Sequence, residues 1–283
     1  MYSPDSNVQS NYPRPELRSF DATRSPGVYW DSMRLAFEML RCAWGTYALG
    51  TLLFLGITIV CGMAASAFSV YSEVNYGTRF IPGQVPTIRT WSYVIQALQQ
   101  VVANVLLLCL ISLGVGHIKR GSASIRDFFQ PFRKIGNTVV VACVLSLPGF
   151  LWVCVSMITQ HGLLKSNFSD WAVEDFLVTF LIAAVWWVLV QGPLLVAATA
   201  ALTSKRPIDR ISVAFQRMGW KSVAFGLLYL VATLYSFLGL MGCGIGILFT
   251  FGISSNVVAL HYAYFFPEEF TQQPDQAAVP SMV

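Results

Sequence analysis

Apolar and polar positions fall in long blocks along this chain, and the blocks recur in one order. PIDRISVAFQRMGW (207–220) is basic and amphipathic. It leads into VAFGLLYLVATLYSFLGLMG (223–242), which carries no charge; after CGIG (243–246) comes a second uncharged run, ILFTFGISSNVVALHYAYFF (247–266). About twenty consecutive apolar residues are what a helix needs to cross a bilayer. The pattern therefore predicts an interfacial helix followed by a transmembrane hairpin. The same order occurs twice upstream.

The first unit opens with VYWDSMRLAFEMLRCAW (28–44). Trp30, Met33, Phe37, Leu40 and Trp44 recur at helical spacing, while Asp31, Arg34, Glu38 and Arg41 take the other face. Two readings stand: a helix lying in the headgroup region, or the solvated start of a longer first helix. Spans come next at about 44–69 and 93–116, joined by a loop over 71–90 that holds Pro82, Gly83 and Pro86. The second unit opens with HIKRGSASIRDFFQPFRKIGN (117–137). There Ser124 and Asp127 fit a capping box, Ile125, Phe128, Phe129 and Phe132 form an apolar face, and Pro131 bends or ends the helix. Its spans are about 138–158, with a kink expected at Pro148, and 176–202, interrupted by Gln191-Gly192-Pro193. The third unit supplies spans at about 223–242 and 246–266. The fold class predicted is an all-α polytopic bundle: six transmembrane helices in three hairpin units, each preceded by an amphipathic interfacial helix.

Phe37, Phe129 and Phe215 align across the three units, each followed by an acid or an amide: Glu38, Gln130 and Gln216. An internal repeat is one reading. The other is that any six-span protein with basic lead-ins shows part of this pattern. Residues 1–27 are polar with four prolines and read as a disordered cytoplasmic tail. No apolar h-region follows the start, so no cleavable signal peptide is expected. Residues 28–266 form the membrane domain, and 267–283 an acidic, flexible cytoplasmic tail.

Composition agrees with the pattern. Of the 283 residues 55% are hydrophobic and only 11% charged, with mean hydropathy +0.59; soluble domains carry roughly 25% charge. The placement of the basic residues is more telling than the net charge of +4. Fifteen lie in the N-terminal segment and the stretches 117–137 and 203–222, against three in the loops 71–90 and 161–175. The positive-inside rule then sets both termini in the cytoplasm.

No Asp, Glu, Lys or Arg falls within the six spans as drawn. Ion-coupled pumps and voltage sensors use intramembrane charge. Intramembrane hydrolysis needs an activated nucleophile or a metal, and none of His117, His161 and His261 has an acidic partner at helical spacing. The cysteines Cys42, Cys61, Cys109, Cys143, Cys154 and Cys243 are scattered through apolar stretches with no metal-ligand spacing. No enzyme activity, cofactor, metal or nucleic-acid partner is expected.

What polarity the spans do hold is amides and hydroxyls. Gln96, Gln100 and Asn104 stand at i, i+4 and i+8; Gln191 and Asn256 are near mid-span, and His261 is nearer the basic side. Counted from the span ends, Asn104, Gln191 and Asn256 reach similar depth. These residues either line a shared polar cavity for a headgroup or small solute, or serve only as interhelical hydrogen bonds. The basic clusters Lys119, Arg120, Arg126, Arg133, Lys134 and Lys205, Arg206, Arg210, Arg217, Lys221 are candidates for anionic-lipid contact, each worth about 1 kcal/mol near a charged bilayer surface. They also set topology, and the two roles are compatible. GLMGCGIG (239–246) lacks the lysine and the strand of a phosphate loop and reads as a close hairpin turn.

AFQRMGWKSVAFGLLYLVATLYSFLGLMGCGIGILFTF (214–251), closed by ALHYAYFF (259–266), resembles uncharacterised bacterial six-helix membrane proteins. It is also similar to the membrane domain of some glycerophosphodiester phosphodiesterases, whose separate soluble domain does the chemistry; no such domain fits beside the spans here. Those families commonly carry a proline soon after the turn, where this chain has Phe251-Gly252-Ile253-Ser254. The resemblance implies a multi-pass protein of the bacterial inner membrane and carries over no site residues. The function expected is a non-enzymatic membrane scaffold or partner subunit. The alternative is a transporter or lipid-handling protein built on the central amides.

Overall fold

The structure is a computed structural model that describes residues 27–76, 85–162, 185–241 and 246–271. All of its regular structure is helical, with no strand among the described residues.

Helix α1 (Asp31–Cys42) ends where Ala43 leaves helical geometry, at φ −134° and ψ 36°, and α2 (Trp44–Tyr76) starts at the next residue. The amphipathic segment is therefore a helix of its own, not the start of the first long one. Its apolar surface is wider than the sequence pattern suggested. Leu35, Ala36, Met39 and Leu40 are buried in the bundle, while Trp30, Phe37 and Trp44 face outward.

Helices α2 and α3 (Val85–Arg120) both run into the stretch expected as a loop, leaving only 77–84 between them. Pro86 is no obstacle, because a first-turn residue has no intrahelical partner for an N–H. Both helices hold windows long and apolar enough to cross a membrane: Trp44–Ala67 and Val94–Arg120. Only 11% of the first window is buried, against 67% of the second. So α3 is central and α2 peripheral, with Leu52, Ile59, Val60 and Met63 turned outward. A continuous apolar stripe of that length is unsuited to water.

After α3 come α4 (Ile125–Phe128), a 3₁₀ turn over Gln130–Lys134, and α5 (Ile135–Gly162). The expected capping box is present: Ser124 accepts from the Arg126 N–H, and Asp127 accepts from the Ser124 N–H. Pro131 does end α4, in the 3₁₀ turn, which Thr138 ties to α5 by donating to the Pro131 carbonyl at 2.7 Å. Helix α5 continues through Pro148.

Of the expected fourth span, 176–184 lies outside the described residues. Its described part begins with a π turn, Trp187–Gln191, leading into α6 (Gly192–Thr203). Pro193 supplies the reason. It has no N–H for the carbonyl four residues back, and the helix widens to accommodate the loss. Helix α7 (Pro207–Met218) is amphipathic, and α8 (Lys221–Met241) is apolar; the two meet at 97°. Gly219 makes that corner at φ +49°, in the left-handed region that a residue with a side chain enters only at a cost. The α7–α8 pair counts as a third span among the described residues if taken as one bent unit.

Helix α9 (Gly246–Phe265) is the axis of the bundle. Every residue from Gly252 to Phe266 is buried, and α9 touches α1, α2, α3, α6 and α8. A helix apolar all round belongs in such a position. The chain then turns back through α10 (Glu268–Thr271). This corrects the expectation of a tail that is flexible from 267 onward: Glu268 and Glu269 dock its first turn on Arg217 and Arg210 of α7.

Candidate functional site: the basic end of the bundle

The polar residues within the long helices have separate partners. Asn104 is buried and donates from Nδ2 to Ser146 Oγ at 2.9 Å, and Ser146 in turn donates to the Ala142 carbonyl. Asn256, fully buried, donates to the Ala36 carbonyl of α1 at 3.4 Å. Its Oδ1 packs against Gly114, ten residues along α3 from Asn104, or about 15 Å of helix. The equal-depth reading of Asn104 and Asn256 is therefore corrected: α9 is set farther along α3 than a count from span ends supposes. Gln96 and Gln100 are exposed, and Gln191 is half-buried in the π turn.

His261 is fully buried and uses both ring nitrogens. Nδ1 lies 2.8 Å from the Val257 carbonyl and so carries the proton; Nε2 then accepts from the Tyr29 N–H at 3.4 Å. Asn256 and His261 thus clasp the N-terminal segment onto the central helix. The sequence offered no sign of a further buried pair, Tyr47 and His117, whose hydroxyl and Nδ1 are 3.1 Å apart. The side chain of His161 lies outside those described.

A cavity lies elsewhere, at the end of the bundle where basic residues gather, and none of these five amides, Ser146 or His261 lines it. Helix α3 brings Ser112, Val115, Gly116, Lys119 and Arg120; the 3₁₀ turn brings Gln130, Pro131, Arg133 and Lys134. Thr138 of α5, Thr199, Leu202 and Thr203 of α6, and Tyr262 of α9 complete the wall. Its volume is about 210 Å³. That is room for roughly seven waters at 30 Å³ each, and less than the 300–1,000 Å³ of a typical drug-sized site.

Charge around this cavity is unevenly spent. Arg120 pairs with Asp127, itself buried. Lys134 donates to the Thr203 carbonyl at 3.2 Å, and Asn137 to the Ser204 carbonyl at 2.8 Å, so the first turns after Pro131 cap the end of α6. Lys119 stands 4.9 Å over the Phe270 ring. No acid among the described residues pairs with Lys119, Arg133 or Lys134.

The other basic candidates divide. Arg126, Lys205, Arg206 and Lys221 are exposed, with Arg206 near Asp209 at 3.9 Å. Arg210 and Arg217 are already engaged by the chain's own C-terminal segment. Arg210 pairs with Glu269 at 2.7 Å, Arg217 with Glu268, and both guanidinium groups stack on Phe266 at 4.9 and 5.0 Å. Tyr262 also donates to Glu269. For Glu268, burial raises the carboxyl's pKa, but the Arg217 hydrogen bond and the charges of Arg217 and Arg210 outweigh it and hold the group below its ordinary value of 4.5.

The fold and this site define an all-helical protein with helices long and apolar enough for a membrane and a cation-rich end. No family model, curated protein or solved structure matches the chain.

Proposed function

We propose that the chain is a six-span, non-enzymatic protein of the bacterial inner membrane, a scaffold or partner subunit that organises anionic lipid at its cytoplasmic face. One observation carries this reading. At a single end of the bundle, short segments set apart from the long helices present exposed aromatic or aliphatic groups beside exposed cations. At α1 and the start of α2 these are Trp30, Phe37 and Trp44; next to α5, Phe129 and Phe132; on α7 and after it, Ile208, Val213 and Trp220. Helix α7 lies almost perpendicular to α8, the attitude of a helix resting in a bilayer surface.

Six spans are supported by the apolar runs in the sequence; among the described residues two helices, or three with the bent α7–α8 pair, are long and apolar enough to cross a membrane. Helix α9 has 20 residues, about 30 Å, matching the hydrocarbon thickness. The resemblance of 214–251 to six-helix bacterial proteins agrees. The scaffold reading is favoured over transport because Asn104, the Asn256 Nδ2 and His261 are taken up in tying the chain together, although the buried Asn256 Oδ1 has no hydrogen-bond partner among the described residues. A non-enzymatic role agrees with His261 having both nitrogens occupied.

Native mass spectrometry of the protein released gently from its own membrane tests the proposal. Retained anionic lipid, stripped by salt, is expected. Protein that stays dispersed without detergent and carries no lipid would overturn it. A reporter fused to the C-terminus is expected to be active only in the cytoplasm.

A further inference from the structure

We propose that the cavity at the basic end is a phosphate-binding site, with Arg133 and Lys134 of the 3₁₀ turn and Lys119 of α3 holding one phosphate group. The inference rests on the anionic-lipid reading and names its site. Three observations bear on it. The cations are exposed side chains that together line one partly open hollow. The only acids beside it have their own cations among the described residues: Asp127 with Arg120, and Glu269 with Arg210. That leaves Lys119, Arg133 and Lys134 in excess. The volume of about 210 Å³ suits a phosphate with part of a headgroup, and not a larger organic ligand.

Part of this charge has a second use. The ends of α3 and α6 bring partial negative charge to the rim, and Lys134 satisfies the Thr203 carbonyl there. An ammonium has three protons, however, and this contact takes one. Arg133 makes no ion pair among the described residues and keeps its planar fork for a phosphate's oxygens. Basic pockets between membrane helices on the cytoplasmic side are a general means of holding phosphorylated headgroups.

The same chemistry serves a phospholipid headgroup or free phosphate, so the test has an arm for each. The full chain is placed in phosphatidylcholine nanodiscs with and without phosphatidylglycerol, and bound lipid is counted by native mass spectrometry. A parallel sample in detergent is titrated with inorganic phosphate. Arg133→Gln and Lys119→Gln are each expected to weaken phosphatidylglycerol binding about fivefold, and the double variant more. Arg34→Gln, exposed on α1 and outside the cavity, is the control and is expected to change it far less. Arg133→Lys keeps the charge but loses the planar fork and is expected to restore binding only in part, a graded response that a merely structural role for the cation would not require. Thermal unfolding of each variant separates lost binding from lost fold.

Equal losses in the cavity and control variants would overturn the site and leave the anionic-lipid reading standing. No preference for phosphatidylglycerol, with inorganic phosphate bound and sensitive to Arg133→Gln, would keep the site and overturn the lipid reading. Neither ligand bound would overturn both.

Discussion

Ser236 and Thr250 exchange hydrogen bonds across the α8–α9 pair. The Ser236 hydroxyl donates to the Thr250 carbonyl at 2.9 Å, and the Thr250 hydroxyl donates to the Ser236 carbonyl at 2.8 Å. Each hydroxyl also reaches a carbonyl four residues back in its own helix, Ala232 and Gly246. Neither group is therefore stranded if its partner is removed. Hydrogen bonds between membrane helices average about 0.6 kcal/mol, with a maximum near 1.7. Ser236→Ala and Thr250→Val are each expected to cost about 0.5–1.5 kcal/mol. The double variant is expected to cost less than their sum, since losing one bond loosens the contact that holds the other. A double-mutant cycle on unfolding in mixed micelles checks this; two neutral single variants would refute it.

Tyr47 and His117 make the opposite case, a buried pair in which the ring nitrogen depends on the hydroxyl. Both residues are buried, at 0% and 2% exposure. Tyr47→Phe removes the hydroxyl and leaves His117 Nδ1 without it. Leaving a buried polar group unsatisfied costs about 1–3 kcal/mol. The variant is expected to lose that much stability, while Tyr235→Phe, half exposed on α8, is expected to lose little. Denaturation in detergent with both variants side by side decides it.

The sequence disclosed the lengths of the helices far better than their partners. Helix starts at Trp44, Ile135 and Gly246 were legible to within a few residues, because the length of an apolar run is a one-dimensional property. The amphipathic segments were legible for the same reason. Partners across the bundle were not. The Gln96–Gln100–Asn104 series looked like a stripe, but each step of four residues drifts about 40° round a helix. Asn104 accordingly faces Ser146 while Gln96 and Gln100 face outward. Depth failed likewise, because Asn256 meets Gly114 and not the level of Asn104. The basic clusters were read as lists, and only the fold sorts them into a cavity (Lys119, Arg133, Lys134) and a clasp (Arg210, Arg217). The clasp did leave a signal: two acids follow the last apolar run of a chain whose preceding amphipathic segment is basic.

Gly226 is where α8 comes closest to the π turn. A Cβ there would overlap the Val188 carbonyl, and Gly192 lies against it with the Gly226 Cα 3.1 Å from the position of its own absent Cβ. The obstacle is backbone, which cannot rotate away as a side chain would. Overpacking a fitted interior costs about 1–3 kcal/mol, occasionally more. Gly226→Ala is expected to reach at least the top of that range or to push α8 off α6. Gly136→Ala, with open space at its Cβ, is the control and is expected to be neutral. Thermal unfolding of the two variants, with crosslinking between α6 and α8, reads both outcomes.

Glu268 gives the clasp a pH dependence with a definite sign. Burial raises its carboxyl's pKa, but the Arg217 hydrogen bond and the nearby charges prevail and hold it below the ordinary 4.5. A depressed acid contributes stability that is fully present above the free value of 4.5 and is lost as pH falls through the lower, folded one. Helix α10 is therefore expected to stay docked on α7 at neutral pH and to loosen only below about pH 4.5. The effect is modest, because the Arg217 and Glu268 side chains are 38% and 47% exposed and solvent screens them. Hydrogen exchange at residues 268–271, normalised to intrinsic rates, is the measurement. Glu268→Gln is expected to flatten the profile at a uniformly looser level. A profile with the same acid limb in Glu268→Gln would show that some other group controls the docking.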